Sequence, residues 1–145
     1  MKRAIPLLSA ILATTVLSCV GNGVGLDENG NPVSEDRGGP LQPTWRSIQD
    51  NILTPRCSWC HPKAGLNLDE ANSYDMLVGI PSTEQDTLMR VRPGEPDRSY
   101  MIWKLEGDPR IRGVRMPADE NYLEQVEIDV IRQWIAAGAP RGGGP

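Results

Sequence analysis

An all-α domain with long connections is the fold class this sequence predicts, and three observations predict it. No run alternates apolar and polar residues over a strand's length. Four segments instead carry apolar residues at helical spacing between capping and stop signals. The connections between them are long enough that a compact domain requires something other than protein at its centre. The chain has 145 residues and no Phe, so its apolar bulk comes from Trp, Tyr, Leu, Ile, Val and Met.

The N-terminal segment reads as an export signal. Met1-Lys2-Arg3 is a short positive start, and Ile5 to Val16 is apolar but too short and wrongly flanked for a stable membrane span. Val16-Leu17-Ser18-Cys19 resembles a bacterial lipobox, which makes 1-18 a lipoprotein signal peptide and Cys19 the lipidated first residue of the mature chain. The plainer alternative is that Cys19 is cut away with the signal. Removing residues 1-18 takes Lys2 and Arg3 and no acid, so the formal charge moves from −4 to −6. Nucleic acid is then not an expected partner, and basic patches on partner proteins are. Residues 19-43, rich in Gly, Asn, Asp and Pro, read as a flexible tether with an r.m.s. span of roughly 25 to 30 Å.

Order is expected over 44-140, with 141-145 a disordered tail. Helix one starts at Thr44, an N-cap after Pro43, carries Trp45, Ile48 and Ile52, and stops before Pro55. A second short helix, Tyr74 to Val78, is capped by Asn72 or Ser73 and ended by Gly79 and Pro81. A third starts near Asp97, carries Tyr100, Met101, Ile102, Trp103 and Leu105, and ends at Gly107. In the last, Leu123, Val126, Val130, Ile131, Trp134 and Ile135 form one apolar stripe, with Glu124, Glu127 and Asp129 near the positive end of the dipole and Gly138 and Pro140 as the stop.

Between helices one and two lies the motif around which the rest is arranged, Cys57-Ser58-Trp59-Cys60-His61. It is a CxxCH sequence of the kind that attaches haem c covalently. Two thiols three residues apart share one side of a helical turn and can reach two vinyl groups on one porphyrin edge. His61, next in the chain, is then delivered to one axial face of the iron. Two other readings stand beside this. A zinc site wants four ligands, and His61 is the chain's only histidine and Cys19 the only other cysteine. A thioredoxin-like disulfide follows a strand, and no β-branched run precedes Cys57. An exported protein is also where haem c is attached and where disulfides persist.

From Cys57 to Ala139 the chain resembles a monohaem class I cytochrome c domain. The pieces that carry the resemblance are Cys57 to His61, Leu66-Asn67-Leu68, Val91 to Tyr100, Arg115-Met116-Pro117 and Ile131 to Ala139, in that order. The resemblance implies a class I cytochrome c fold of about four helices with long loops around one haem c. It implies first and last helices packed together, with Ile48 or Trp45 meeting Trp134. Glu124 stands where the family usually has a Ser or Thr cap.

With one histidine, the second axial ligand is a thioether among Met76, Met89, Met101 and Met116, or the iron is open. Most methionines are gap-filling core, which suits Met76 and Met101 on their helical stripes. Met116 lies in the loop between helices three and four, braced by Pro117, where the resembled family brings its methionine over the ring. Arg90, Arg92, Arg115, Tyr100 and Lys104 are candidate donors to haem propionates, although Lys104 reads better as a solvated surface charge. The family pattern brings Arg92 close to the ring. Trp59 and Trp103 read as packing rather than electron relays. The expected function is electron transfer, not enzyme catalysis, by a haem carrier tethered through Cys19 on the periplasmic side of a bacterial envelope, at the outer membrane, with redox proteins as partners. The rival expectations are a haem-based ligand sensor or peroxidase-like enzyme with an open distal site, and a haem-free metal or interaction module.

Overall fold

The computed structural model describes residues 40–63 and 65–142, so the expectations for the signal peptide, for Cys19 and for most of the tether lie outside the described residues. The protein is all-α within them. In chain order it has α1 (Trp45–Ile48), a π-helical turn (Gln49–Leu53), α2 (Thr54–Arg56), α3 (Ser73–Leu77), a 3-10 turn (Pro96–Arg98), α4 (Tyr100–Glu106) and α5 (Gln125–Ala136). Its two strands, β1 (Pro62–Lys63) and β2 (Leu66–Asn67), form one short antiparallel pair with Pro62 opposite Asn67.

Thr44 caps α1 as expected, its hydroxyl accepting from the Ser47 N–H. The helical run does not stop before Pro55, however, and continues through it to Arg56. A proline normally clashes with the carbonyl four residues back. Here the preceding turn is π-helical, with the Thr54 N–H donating to the Gln49 carbonyl five residues back. That wider turn relaxes the clash. Gln49 is buried, and its amide also donates to Leu68 O, which ties the turn to the segment after β2.

α5 starts at Gln125, so Leu123, which the sequence places at the head of the apolar stripe, is buried just ahead of the helix. Glu124 serves as the N-cap in a reciprocal capping box with Glu127, whose carboxylate accepts the Glu124 N–H at 2.8 Å. Ile128, Ile131, Trp134 and Ile135 are fully buried along its inner face. Val126, assigned to that stripe, points outward and is 62% exposed. Trp45 meets Trp134 with ring centroids 5.2 Å apart, joining the first helical run to the last, and Tyr74 packs edge-on against Trp45 at 5.1 Å. The Trp134 indole donates to Pro140 O, so the stop after α5 is itself part of the core.

The domain is slightly longer at both ends than the sequence suggests. Leu41 packs against the core and the Gln42 N–H donates to Ser47, although both fall within the expected tether. Arg141, expected in the tail, pairs with Asp75 at 3.0 Å and lies over the Tyr74 ring. Between α3 and α4 the chain is held by backbone bonds: Val91 N to Leu77 O, Arg90 N to Ile80 O and Tyr100 N to Met89 O. Gly94, in the left-handed region at φ 81, donates to Ile135 O at 2.7 Å and so fastens this connection to α5. No helix among the described residues is long and apolar enough to cross a membrane.

Candidate functional site

The end of α2 turns tightly into the Cys57 to His61 segment. Cys57 N and Ser58 N both donate to Leu53 O, Ser58 Oγ donates to Thr54 O, and Cys60 N and His61 N both donate to Cys57 O. These bonds bring the two thiols and the imidazole to one turn, as the spacing implies. Leu68 N donates back to His61 O at 2.9 Å, so the β1–β2 hairpin closes behind the histidine. Both thiols are free. Burial pushes the Cys57 thiol up to about 11, against a smaller opposing effect of Arg56. Among the described residues no three His, Cys, Asp or Glu side chains gather as a metal ligand set. Burial, and next the Lys104 ammonium, lower the His61 imidazole.

The turn opens on a cavity of about 380 Å3, within the usual range for small-molecule sites. Cys57, Cys60 and His61 line it on one segment, and Met116 and Pro117 line it from a loop more than fifty residues later. Leu53, Leu66, Leu68, Leu77, Met101 and Leu105 make much of the rest apolar. Two thiols on one turn, a neutral imidazole, a thioether and an apolar lining are the donor set and surroundings that haem c requires, so the residues present fit that group. Tyr100, expected among its donors, also lines the cavity.

Not every expected residue arrives. Arg92 is absent from the cavity lining, and its Nε donates to Glu95 at 2.6 Å, an i,i+3 pairing within its own loop. Arg90 takes its place at the wall, with its guanidinium donating to Met76 O and Gly65 O. Lys104, expected in solvent, has a side chain only 13% exposed and lines the cavity, its Nζ donating to Arg112 O and Glu84. A long side chain buries its stem while its head finds partners. Trp59, expected to pack, is 79% exposed. Trp103 does pack, with the Arg110 guanidinium 3.9 Å over its ring and its indole donating to Asp97 O.

Of the methionines, Met76 is engaged elsewhere, its sulfur accepting the Asn67 N–H, and Met89 is held between Pro81 and Ser99 away from the lining. Met101 and Met116 both reach the cavity. Met101 does so from α4, whereas Met116 lies in an irregular loop whose backbone N–H donates to Lys104 O.

Two contributors were invisible to sequence reasoning. The Arg56 guanidinium donates to both oxygens of Glu127, 71 residues away, and to Asn121 O and Tyr122 O, so one side chain ties the cysteine turn to the cap of α5. Glu84 lines the cavity and accepts from the Tyr100 hydroxyl at 2.7 Å. Burial opposes ionisation of that carboxylate, but the Tyr100 bond and then Lys104 hold it below its ordinary range. Neither residue belongs to a motif, and no local signal pointed to them. Comparison with known proteins finds no matching family model, curated relative or solved structure.

Proposed function

We propose that the chain is an electron carrier with one haem c, in a class I cytochrome c fold. The observation that carries this reading is the convergence of Cys57, Cys60 and His61 with Met116 on a single apolar cavity. Cys57 and Cys60 would hold the group by two thioethers, and His61 and Met116 would be its iron ligands. Bound haem would supply a one-electron Fe(III)/Fe(II) couple, with a thioether ligand favouring the ferrous state.

The chain's own residues then do three things. The leucines exclude water from the ring. Arg90 offers a guanidinium with no carboxylate partner among the described residues and is the donor assigned to the propionates, because the single Tyr100 hydroxyl proton is already donated to Glu84. With His61 and Met116 both given to the iron, the chain would keep no iron position for a substrate, and this reading implies no bond chemistry. Lipidation at Cys19, a place on the periplasmic side of the envelope and docking to basic redox partners belong to the same reading, on the strength of Val16 to Cys19 and the net acidic charge.

An absorption spectrum of protein matured in the periplasm tests this. Expected are a haem c spectrum, a long-wavelength sulfur-to-iron band when oxidised, and no reaction of the reduced form with carbon monoxide. A haem spectrum without that band, with ready binding of carbon monoxide, would favour the ligand sensor or peroxidase-like reading. No haem at all would leave the haem-free module.

A further inference from the structure

We propose that Arg115 is the positioning residue for Met116, locking the methionine loop onto the end of α4. The inference rests on the reading of Met116 as an axial ligand and adds what keeps it there. A helix of seven residues leaves its last carbonyls without intrahelical donors. In α4 two of these are satisfied by the loop itself: Met116 N donates to Lys104 O at 2.9 Å, and Arg115 Nε donates to Leu105 O at 2.7 Å. The ligand and its neighbour thus cap the helix that forms one wall of the cavity.

Arg115 is confined from both sides. Its stem lies against Gly107, where an added Cβ would stand 2.9 Å from the Arg115 Cδ and would force the stem to shift. Gly107 also sits at φ 74, which the helix stop requires independently. The Arg115 guanidinium carbon stands 4.2 Å from the Tyr122 ring centroid, a stacked cation–π arrangement. No carboxylate among the described residues pairs with Arg115, in contrast to Arg56, Arg92, Arg98, Arg110 and Arg132. Its bonds are spent on the loop and the helix end, and those contacts limit how far the Met116 thioether can swing from the cavity.

The test uses the full haem-loaded protein and reads the sulfur-to-iron band together with the affinity of the oxidised form for added imidazole. Arg115→Ala should weaken the band and raise imidazole affinity about ten- to hundredfold, the range for losing a charge-assisted bond. Arg115→Lys keeps the charge but not the stacked fork, and should fall between. Tyr122→Leu, which removes only the stack, should move both readouts in the same direction by less, and it serves if Arg115→Ala does not fold. Arg98→Ala, an exposed pair with Glu95, should leave both unchanged. If Met116→Ala abolishes the band while Arg115→Ala, Arg115→Lys and Tyr122→Leu all behave as wild type, the positioning role is overturned and the ligand assignment survives. If Met116→Ala itself leaves the band intact, the ligand assignment falls first and the positioning role falls with it.

Discussion

The cysteine turn and the methionine loop reach the same cavity by opposite routes. Cys57, Cys60 and His61 fall within five consecutive positions of chain, and the bonds that form their turn run to Leu53, Thr54 and Cys57, at most five residues away, with the Leu68 N–H to His61 O bond closing the hairpin after it. Met116 is held instead by ties that reach back to α4 and forward to Tyr122, to Lys104 O through its own N–H and to Leu105 O and the Tyr122 ring through Arg115. Local bonds form early and at little chain-entropy cost, whereas a loop fastened at a distance must be closed before its contacts return anything. One side of the site is therefore a property of a short sequence and the other a property of the fold. The first should fail as a unit, and the second should yield step by step.

The largest effect separates the two most sharply. A Cys57→Ala, Cys60→Ala protein should lose the covalent cofactor and, with it, the central occupant of the core, leaving a poorly folded chain by circular dichroism and proteolysis. A folded, cooperative apoprotein would show that the cavity walls stand alone. Met116→Ala should do much less to folding. It should abolish the sulfur-to-iron band, lower the reduction potential and admit carbon monoxide to the reduced iron, while haem stays attached. Met101→Ala is the necessary companion, because Met101 reaches the same cavity. Should Met101→Ala produce those changes and Met116→Ala none, the distal assignment moves to α4.

Arg56 joins the cysteine turn to the cap of α5, so its loss ought to loosen both. Its side chain is 29% exposed and makes one ion pair and two carbonyl bonds. Arg56→Ala should cost about 1 to 2 kcal/mol in denaturant unfolding, after discounting for solvent exposure. A cost indistinguishable from zero would mean the turn and the α5 cap are independent. The smallest effect lies at the start of the methionine loop, where bonds from the Arg110 side chain and backbone hold Asp108 at about 2. The folded value is depressed, so the contribution is complete above the ordinary carboxylate value near 3.8 and is lost as pH falls through about 2. A carboxyl titration by NMR checks this, and a value near 3.8 would show that the loop start is open in solution.

This asymmetry also explains how much was legible beforehand. Cys57 to His61 could be read because its chemistry needs only adjacent residues, and α5 because its buried face repeats every three to four positions. Val126 shows the limit of such a stripe: spacing alone did not say that it lay one position beyond the buried face. Pro55 reads as a stop in the sequence because nothing in the residues announces a π-helical turn before it. Lys104 and Trp59 were assigned by residue type, yet the burial of the first and the exposure of the second depend on what surrounds them in the fold. Arg92 fitted a pattern, but Glu95 three residues on captured it, and Arg90 was left facing the cavity. The Arg56–Glu127 pair spans 71 residues and Arg115 touches Gly107 and Tyr122 only once the loop is closed, so neither had a sequence signature.

The central claim is that Cys57 and Cys60 carry haem covalently, and extraction of the periplasmically matured protein into acid acetone tests it most directly. Haem should remain with the polypeptide in the precipitate and still stain the band after denaturing electrophoresis. Haem released into the acetone, or a protein that holds zinc or a Cys57–Cys60 disulfide in its place, would contradict the account.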